Sequence, residues 1–243
     1  MKLNVVKNDL LGYPKYIIYQ NPEMFSFSID SMLLADFVDI KKDTKKIIDL
    51  GTGNGVIPMY LTLSTNANII GVDIQEDVLN LAKLSVEENG LSNQITLLNR
   101  DIKGLSCEYK NIDVVISNPP YFKYKETSIV NKTDYKTIAR HEVLITLEEI
   151  IMEAYKLLKP RGCFYLIHKP DRLTDVLYYL RKHNLEPKKI RFVYPKLNSK
   201  PNHVLVEARK QANLGNLTVL KPLYIYKNGK WTEEVLKIYN KGR

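Results

Sequence analysis

The chain is poor in the side chains that staple or metallate small folds. Its two cysteines, Cys107 and Cys163, rule out a disulfide framework and stand at no metal-ligand spacing. The four histidines, His141, His168, His183 and His203, are scattered, so a zinc site finds no support. No stretch approaches the ~20 consecutive apolar residues that a membrane span takes. The amino terminus is polar from Lys2 onward and lacks the apolar segment of a secretion signal. Internal repeats and low-complexity tracts are missing too. These absences predict a cytoplasmic protein with no metal and no membrane partner; oligomeric state is left open, with a monomer as the default.

What is present begins with length. The 243 residues and a hydrophobic content of 44% allow one sizeable core with short additions. The charge is less ordinary: a net +9 and a pI near 9.3 predict a polyanionic partner, most often nucleic acid. A membrane surface competes as that partner, but no helical stretch segregates Lys and Arg from a bulky apolar face. Sixteen tyrosines favour RNA, because aromatic rings beside cations grip single strands. The plainer account of most of them is half-buried packing.

Along the chain, Tyr16–Tyr19 and Phe25–Ser31 read as strand-like pieces, and an amphipathic helix follows with Asp30 or Ser31 as its cap. Strand and helix then alternate. Ile47–Leu50 is a strand that ends in the turn Gly51-Thr52-Gly53-Asn54-Gly55, and a helix follows through Pro58 to Leu63. Asn68–Asp73 is a second strand, and Val78, Leu81, Ala82 and Val86 mark a helix that stops at Asn89-Gly90. Ile95–Leu98 is a third strand, and a weak helix precedes the strand Ile112–Ile116.

Further on, Thr146 and Glu149 form a capping box for a helix stopped by Lys159-Pro160-Arg161-Gly162, and Cys163–His168 is a fifth strand. A helix over Leu173–Leu180 leads to a hairpin of Ile190–Tyr194 with Val204–Ala208. The tail carries a strand pair about Asn228-Gly229 and a short helix from Thr232. This order predicts an α/β fold: a Rossmann-like, mostly parallel seven-stranded sheet with an antiparallel edge hairpin. Three regions are expected. Residues 1–40 complete the site, 41–210 form the main domain, and 211–243 form a basic tail packed on or near it.

Two stretches carry chemistry. Asn118-Pro119-Pro120-Tyr121 closes a buried strand as a rigid corner, since paired prolines end the ladder. It offers an amide, carbonyls and an aromatic ring, which suits a flat nitrogen-bearing base. The glycine turn gains weight from spacing, because Asp73 lies twenty-two residues beyond Gly51 at a strand end, where a carboxylate can bind ribose hydroxyls. Asp101, after the third strand, can accept from an adenine amine. The turn departs from the dinucleotide fingerprint at Val56, and Asp49 would repel a pyrophosphate but attract an ammonium and a sulfonium. Each acid alone reads as readily as a cap, a turn former or a solvated carboxylate; their placement at successive strand ends favours S-adenosylmethionine.

These residues resemble the ordered motifs of the class I S-adenosylmethionine-dependent methyltransferases that act on planar nitrogen. Phe25-Ser26-Phe27-Ser28-Ile29-Asp30-Ser31 with Leu33-Leu34-Ala35, Ala139-Arg140-His141-Glu142 and Pro222–Tyr226 are similar to the bacterial tRNA(Val) adenine-37 N6-methyltransferase family. The resemblance implies transfer of a methyl group to the exocyclic N6 of adenine 37 in a tRNA. It implies Asn118, Pro119, Pro120 and Tyr121 as catalytic residues. Ser28, Asp30, Asp49, Gly51, Thr52, Gly53, Gly55, Asp73, Ile74, Asp101, Ile102 and Asn118 would hold the cofactor.

Lys123, Lys125, Lys132, Lys136, Arg140 and His141 are expected to meet RNA, against the plainer account of a solvated loop. Rival readings are a ribosomal-RNA guanine N2-methyltransferase, a glutamine N5-methyltransferase of release factors, and an RNA-binding module without catalysis. The second would need a sizeable helical domain before the turn, and only 48 residues precede Asp49. The third has no use for Asn118 and Asp49.

Overall fold

The computed structural model describes residues 5–10, 16–22, 29–119, 121 and 144–241. Near the amino terminus β1 (Val6–Asp9) and β2 (Ile17–Gln20) pair antiparallel, apart from the main sheet. The backbone N–H groups of Ile17 and Tyr19 donate to Asn89 Oδ1 and Ser85 Oγ at 2.9 Å each, which pins this hairpin to the chain beyond the glycine turn. Helix α1 (Ile29–Phe37) follows. It begins one residue earlier than expected, so Asp30 and Ser31 sit buried inside its first turn and neither is the cap.

The expected strand–helix alternation is present: β3 (Lys46–Leu50), α2 (Val56–Leu61), β4 (Asn68–Asp73), α3 (Glu76–Glu88), β5 (Ile95–Asn99) and β6 (Ile112–Ser117). The weak helix expected before β6 is only a 3-10 turn, Leu105–Cys107, too short to need a packed face. Then come α4 (Leu147–Leu157), β7 (Leu158–His168), α5 (Leu173–Lys182), β8 (Leu185–Lys196) and β9 (His203–Lys210). Thr146 caps α4 with Glu149 returning to the Thr146 backbone, the reciprocal box its sequence predicts.

Strand β7 starts five residues before Cys163. Its first residues pair with Ile112, the register then shifts, and Arg161 takes a positive φ of 62°. A bulge absorbs the Lys159–Gly162 breaker instead of ending the strand there.

Seven strands lie in the order β5-β4-β3-β6-β7-β9-β8, all parallel except β9, which runs antiparallel between β7 and β8. The hairpin is not the last edge. The tail adds β10 (Thr218–Val219) and β11 (Leu223–Lys227) in parallel beside β8, and β12 (Lys230–Trp231) folds back on β11. Helix α6 (Glu233–Tyr239), capped by Thr232, closes the described chain.

Both faces of the sheet are covered. Period-2 alternation sends Ile47, Val114, Ile116 and Tyr165 to one core and Ile48, Val115, Phe164 and Leu166 to the other. Each such apolar side chain contributes about 1.5–3 kcal/mol by burial. The consequence for function is alignment: β3 and β6 pair Leu50 with Ser117, so the glycine turn and the Asn118 corner leave the sheet side by side. Among the described residues no helix is long and apolar enough to cross a membrane, and no cluster of His, Cys, Asp and Glu could hold a metal ion.

Candidate active site

The turn after β3 is held by its neighbour strand. Gly51 and Thr52 both donate backbone N–H to the Val72 carbonyl at 2.9 Å, and Gly53 donates to Asp73 Oδ2 at 2.8 Å. Gly51, Gly53 and Gly55 have φ of 76°, 54° and 77°, which side-chain-bearing residues rarely adopt. Sequence reasoning missed Gly71. A Cβ there would lie 2.8 Å from Thr52 Oγ1, so this strand glycine lets the turn settle against β4.

Asp73 is 6% exposed, and its second oxygen accepts from the Gln75 N–H at 2.9 Å. Burial raises its pKa, and these backbone donors offset part of the rise. Asp49 is fully buried, and among the described residues neither of its oxygens has a hydrogen-bond partner of acceptable geometry; Thr52 Oγ1 is buried without one too. Burial pushes the Asp49 pKa up to about 7; the Thr52 hydroxyl offsets part of this and the Asp73 charge adds to it. A buried carboxyl without a partner is costly unless a cation or donor arrives.

Asp101 and Ile102 follow β5. Asp101 is exposed and accepts from the Lys103 N–H at 2.9 Å, with the Lys103 ammonium at 3.9 Å. Ile102 is buried, whereas Ile74 is 44% exposed beside Asp73.

At the corner Asn118 is gripped at both ends. Its Nδ2 donates to Ser31 Oγ at 3.1 Å, and its Oδ1 accepts from the Tyr121 hydroxyl at 2.7 Å. Ser31 therefore orients the amide from α1, a role its place in the sequence concealed. The Tyr121 ring packs between two imidazoles, with centroids 5.6 Å from His168 and 5.5 Å from His203, and Lys169 Nζ lies 4.9 Å over it. Burial, then the Asp30 charge, pushes its phenol well above the usual range.

The sequence reading gave Tyr121 to a base and Asn118 Oδ1 to an amine; here each is engaged by the protein's own groups. Ser28, Pro120, Lys123, Lys125, Lys132, Lys136, Arg140 and His141 lie outside the described residues.

His168, Lys169 and His203 were also missed. His168 ends β7, and His203 opens β9 after a loop, so only the β7–β9 pairing brings them together. Lys169 Nζ donates to His203 Nε2 at 2.7 Å, since an ammonium only donates, and Asp30 Oδ2 is 3.4 Å from the same nitrogen. Burial lowers the pKa of Lys169 and of His203. The signal available was position alone, because strand carboxyl ends are where open α/β sheets bind ligands.

Strand order, glycine turn and corner together define a nucleotide-cofactor enzyme of the Rossmann-like class. A family described as "Methyltransferase domain" matches residues 41–240, and the chain belongs to that family. The tRNA1(Val) (adenine(37)-N6)-methyltransferase of Phocaeicola vulgatus is 26% identical over 90% of this chain and 93% of its own length. The protein of the same description from Porphyromonas gingivalis (strain ATCC 33277) is 30% identical over 67% of this chain and 64% of its own. Among solved structures, an Agrobacterium tumefaciens protein described as a predicted O-methyltransferase shares the fold with a TM-score of 0.69 and 22% identity. It covers 88% of this chain and 96% of that one.

The protein is an S-adenosylmethionine-dependent methyltransferase of the class I fold. The residues fit that cofactor. Asp49 is a buried acid without a counter-cation among the described residues, Asp73 stands at the end of β4, and open space lies where Gly51 or Gly53 would carry a Cβ.

Proposed function

We propose that the protein methylates the exocyclic N6 of an adenine in tRNA, at position 37 of a tRNA(Val). The observation that carries the reading is the β3–β6 register, in which the glycine turn and the amide corner leave the carboxyl ends of two neighbouring central strands. The description of its relatives supports tRNA as the substrate.

S-adenosylmethionine supplies an electrophilic methyl group on a sulfonium. Asp49 answers the cofactor's positive charge, Asp73 takes its ribose hydroxyls, and Ile74 and Ile102 flank its adenine with Asp101 at the amine. Ser28 and Asp30 border its methionine end. Adenine N6 is a weak nucleophile because its lone pair is delocalised into the ring. Asn118 Oδ1 and the Pro119 carbonyl accept its two N–H bonds, let the nitrogen pyramidalise, and stabilise the positive charge that grows on it. When bound, the cofactor would supply this methyl group in exchange for its S–C bond, and the excess proton of the amine would pass to water. Because the Tyr121 hydroxyl holds Asn118 Oδ1 in the free protein, the amine displaces that hydroxyl as it enters. Tyr121 and Pro120 then shape the wall against the base.

An adenine in an anticodon loop is cheap to unstack compared with one in a duplex. Lys123, Lys125, Lys132, Lys136, Arg140 and His141 track the RNA backbone in this reading, in keeping with the net charge of +9.

The test is product identification. Protein, labelled S-adenosylmethionine and unmodified tRNA are incubated, and the RNA is digested to nucleosides. Label in N6-methyladenosine from a tRNA(Val) is the expected result. Label only in N2-methylguanosine of ribosomal RNA, or in glutamine of a release factor, contradicts it.

A further inference from the structure

One buried polar group at the corner has no use in the mechanism above. His168 is fully buried at the end of β7, and its ring stands against Tyr121. Its Nδ1 accepts the backbone N–H of Lys169 at 2.8 Å. That bond fixes the tautomer, since an accepting Nδ1 leaves the single proton on Nε2. Nε2–H is buried and has no hydrogen-bond partner among the described residues. Burial, with the Arg172 charge, lowers the imidazole pKa to about 4, so the ring stays neutral and cannot become a second cation at working pH. The group is therefore a fixed, buried donor, held by the backbone and packed against the ring whose hydroxyl binds Asn118. A buried donor without a partner is disfavoured, and a ligand atom that accepts from it relieves that cost.

We propose that His168 is a specificity-determining residue, whose Nε2–H donates to the ring nitrogen that flanks the reacting amine of the acceptor base. The inference rests on the adenine reading and adds the group that recognises the ring. An adenine N6 amine is flanked on both sides by ring acceptors, N1 and N7. A guanine N2 amine has a donor, N1–H, on one side. A donor-only partner beside the amine corner therefore suits adenine, and it opposes guanine in the orientation that brings N1–H to it. Asn118 Oδ1 and the Pro119 carbonyl accept from the amine, His168 donates to the ring, and the three bonds set the base plane. The Tyr121 ring lies against both imidazoles, so it turns aside as the base reaches Nε2.

The experiment uses an anticodon stem-loop RNA with one target adenosine, alongside RNAs that carry 1-deazaadenosine or 7-deazaadenosine at that site. For the wild-type protein, kcat/KM falls about 10- to 100-fold with one of the two deaza RNAs and little with the other. In His168→Ala the parent RNA is impaired to a similar degree, and the sensitive deaza substitution costs nothing further. His168→Gln, which keeps an N–H donor, recovers part of the activity and part of the deaza penalty. Cofactor affinity stays unchanged in both variants. Wild-type rates that are equal on the parent and both deaza RNAs overturn the assignment without help from any variant, as does a deaza penalty that persists in His168→Ala. If the wild-type protein fails to methylate the parent RNA, the adenine reading itself falls and this inference falls with it.

Discussion

The two halves of the site are built in opposite ways. On the donor side, around β3 and β4, the backbone is tied down but key side-chain atoms are left without partners: both oxygens of Asp49 and Thr52 Oγ1. On the acceptor side the Asn118 amide is engaged at both ends, whereas among the described residues His168 Nε2 and His203 Nδ1 have no hydrogen-bond partner. Asn118 is held by Ser31 and Tyr121, and His203 Nε2 accepts from Lys169. The first half waits with an unsatisfied charge, so cofactor binding needs little rearrangement. In the second half the Tyr121 hydroxyl closes the Asn118 amide, so the acceptor must exchange that hydrogen bond to enter. A small, invariant cofactor suits a preformed cradle, whereas a base that has to be unstacked suits a corner that opens only for the right amine.

The largest expected effect separates the halves outright. Asn118→Ala should lower single-turnover methyl transfer by ~100- to 1,000-fold, the range for a lost transition-state acceptor. Its cofactor affinity, read by calorimetry, should stay within about threefold of wild type. A matching loss of cofactor binding would merge the two halves.

Asp49→Asn breaks the other half. At pH 8 it should weaken cofactor binding by about 10- to 100-fold, because the cation loses a desolvated counter-charge. The same substitution should raise the melting temperature at that pH. The folded protein keeps the Asp49 proton up to about pH 7, against 3.8 for an ordinary aspartate, so folding stability falls as pH rises between those values and levels off above. A variant without the carboxyl escapes that fall, and calorimetry at pH 5 and pH 8 reads the difference.

Tyr121→Phe sharpens the contrast. It keeps the ring between His168 and His203 but frees Asn118 Oδ1. One neutral hydrogen bond contributes on the order of 1 kcal/mol, so kcat/KM for RNA should rise about 3- to 10-fold with cofactor affinity unchanged. A fall in kcat/KM would mean that the hydroxyl assists the reaction and does not merely hold the acceptor closed.

The smallest effect lies outside both halves. Thr146→Ala removes the cap of α4 and should cost about 1 kcal/mol in urea unfolding, with methyl transfer at 25 °C unaltered.

What the sequence disclosed follows the same division. The donor half is local: Asp49 to Gly55 are contiguous, and Asp73 is one strand–helix unit away, so spacing and turn chemistry exposed them. The capping box at Thr146 was legible for the same reason. The acceptor half is assembled from far apart. Ser31 meets Asn118 across 87 positions, and His168 meets His203 only because β9 turns back antiparallel beside β7. No periodicity within one element encodes such meetings. Breakers misled where a bulge absorbed them, as at Arg161 in β7, and the extra strands β10 to β12 depend on a sheet edge that only the assembled fold supplies.

The claim that Asp49 waits for the cofactor's positive charge is tested most directly by the pH dependence of cofactor affinity, measured by calorimetry from about pH 5 to 7.5 on wild type and Asp49→Asn. A proton competes with the cation for the free carboxyl, so wild-type affinity should fall by up to tenfold for each pH unit below about 7 and flatten above it, while the variant shows no such slope. A wild-type affinity that is level through this range, or a slope that survives in Asp49→Asn, would contradict the account.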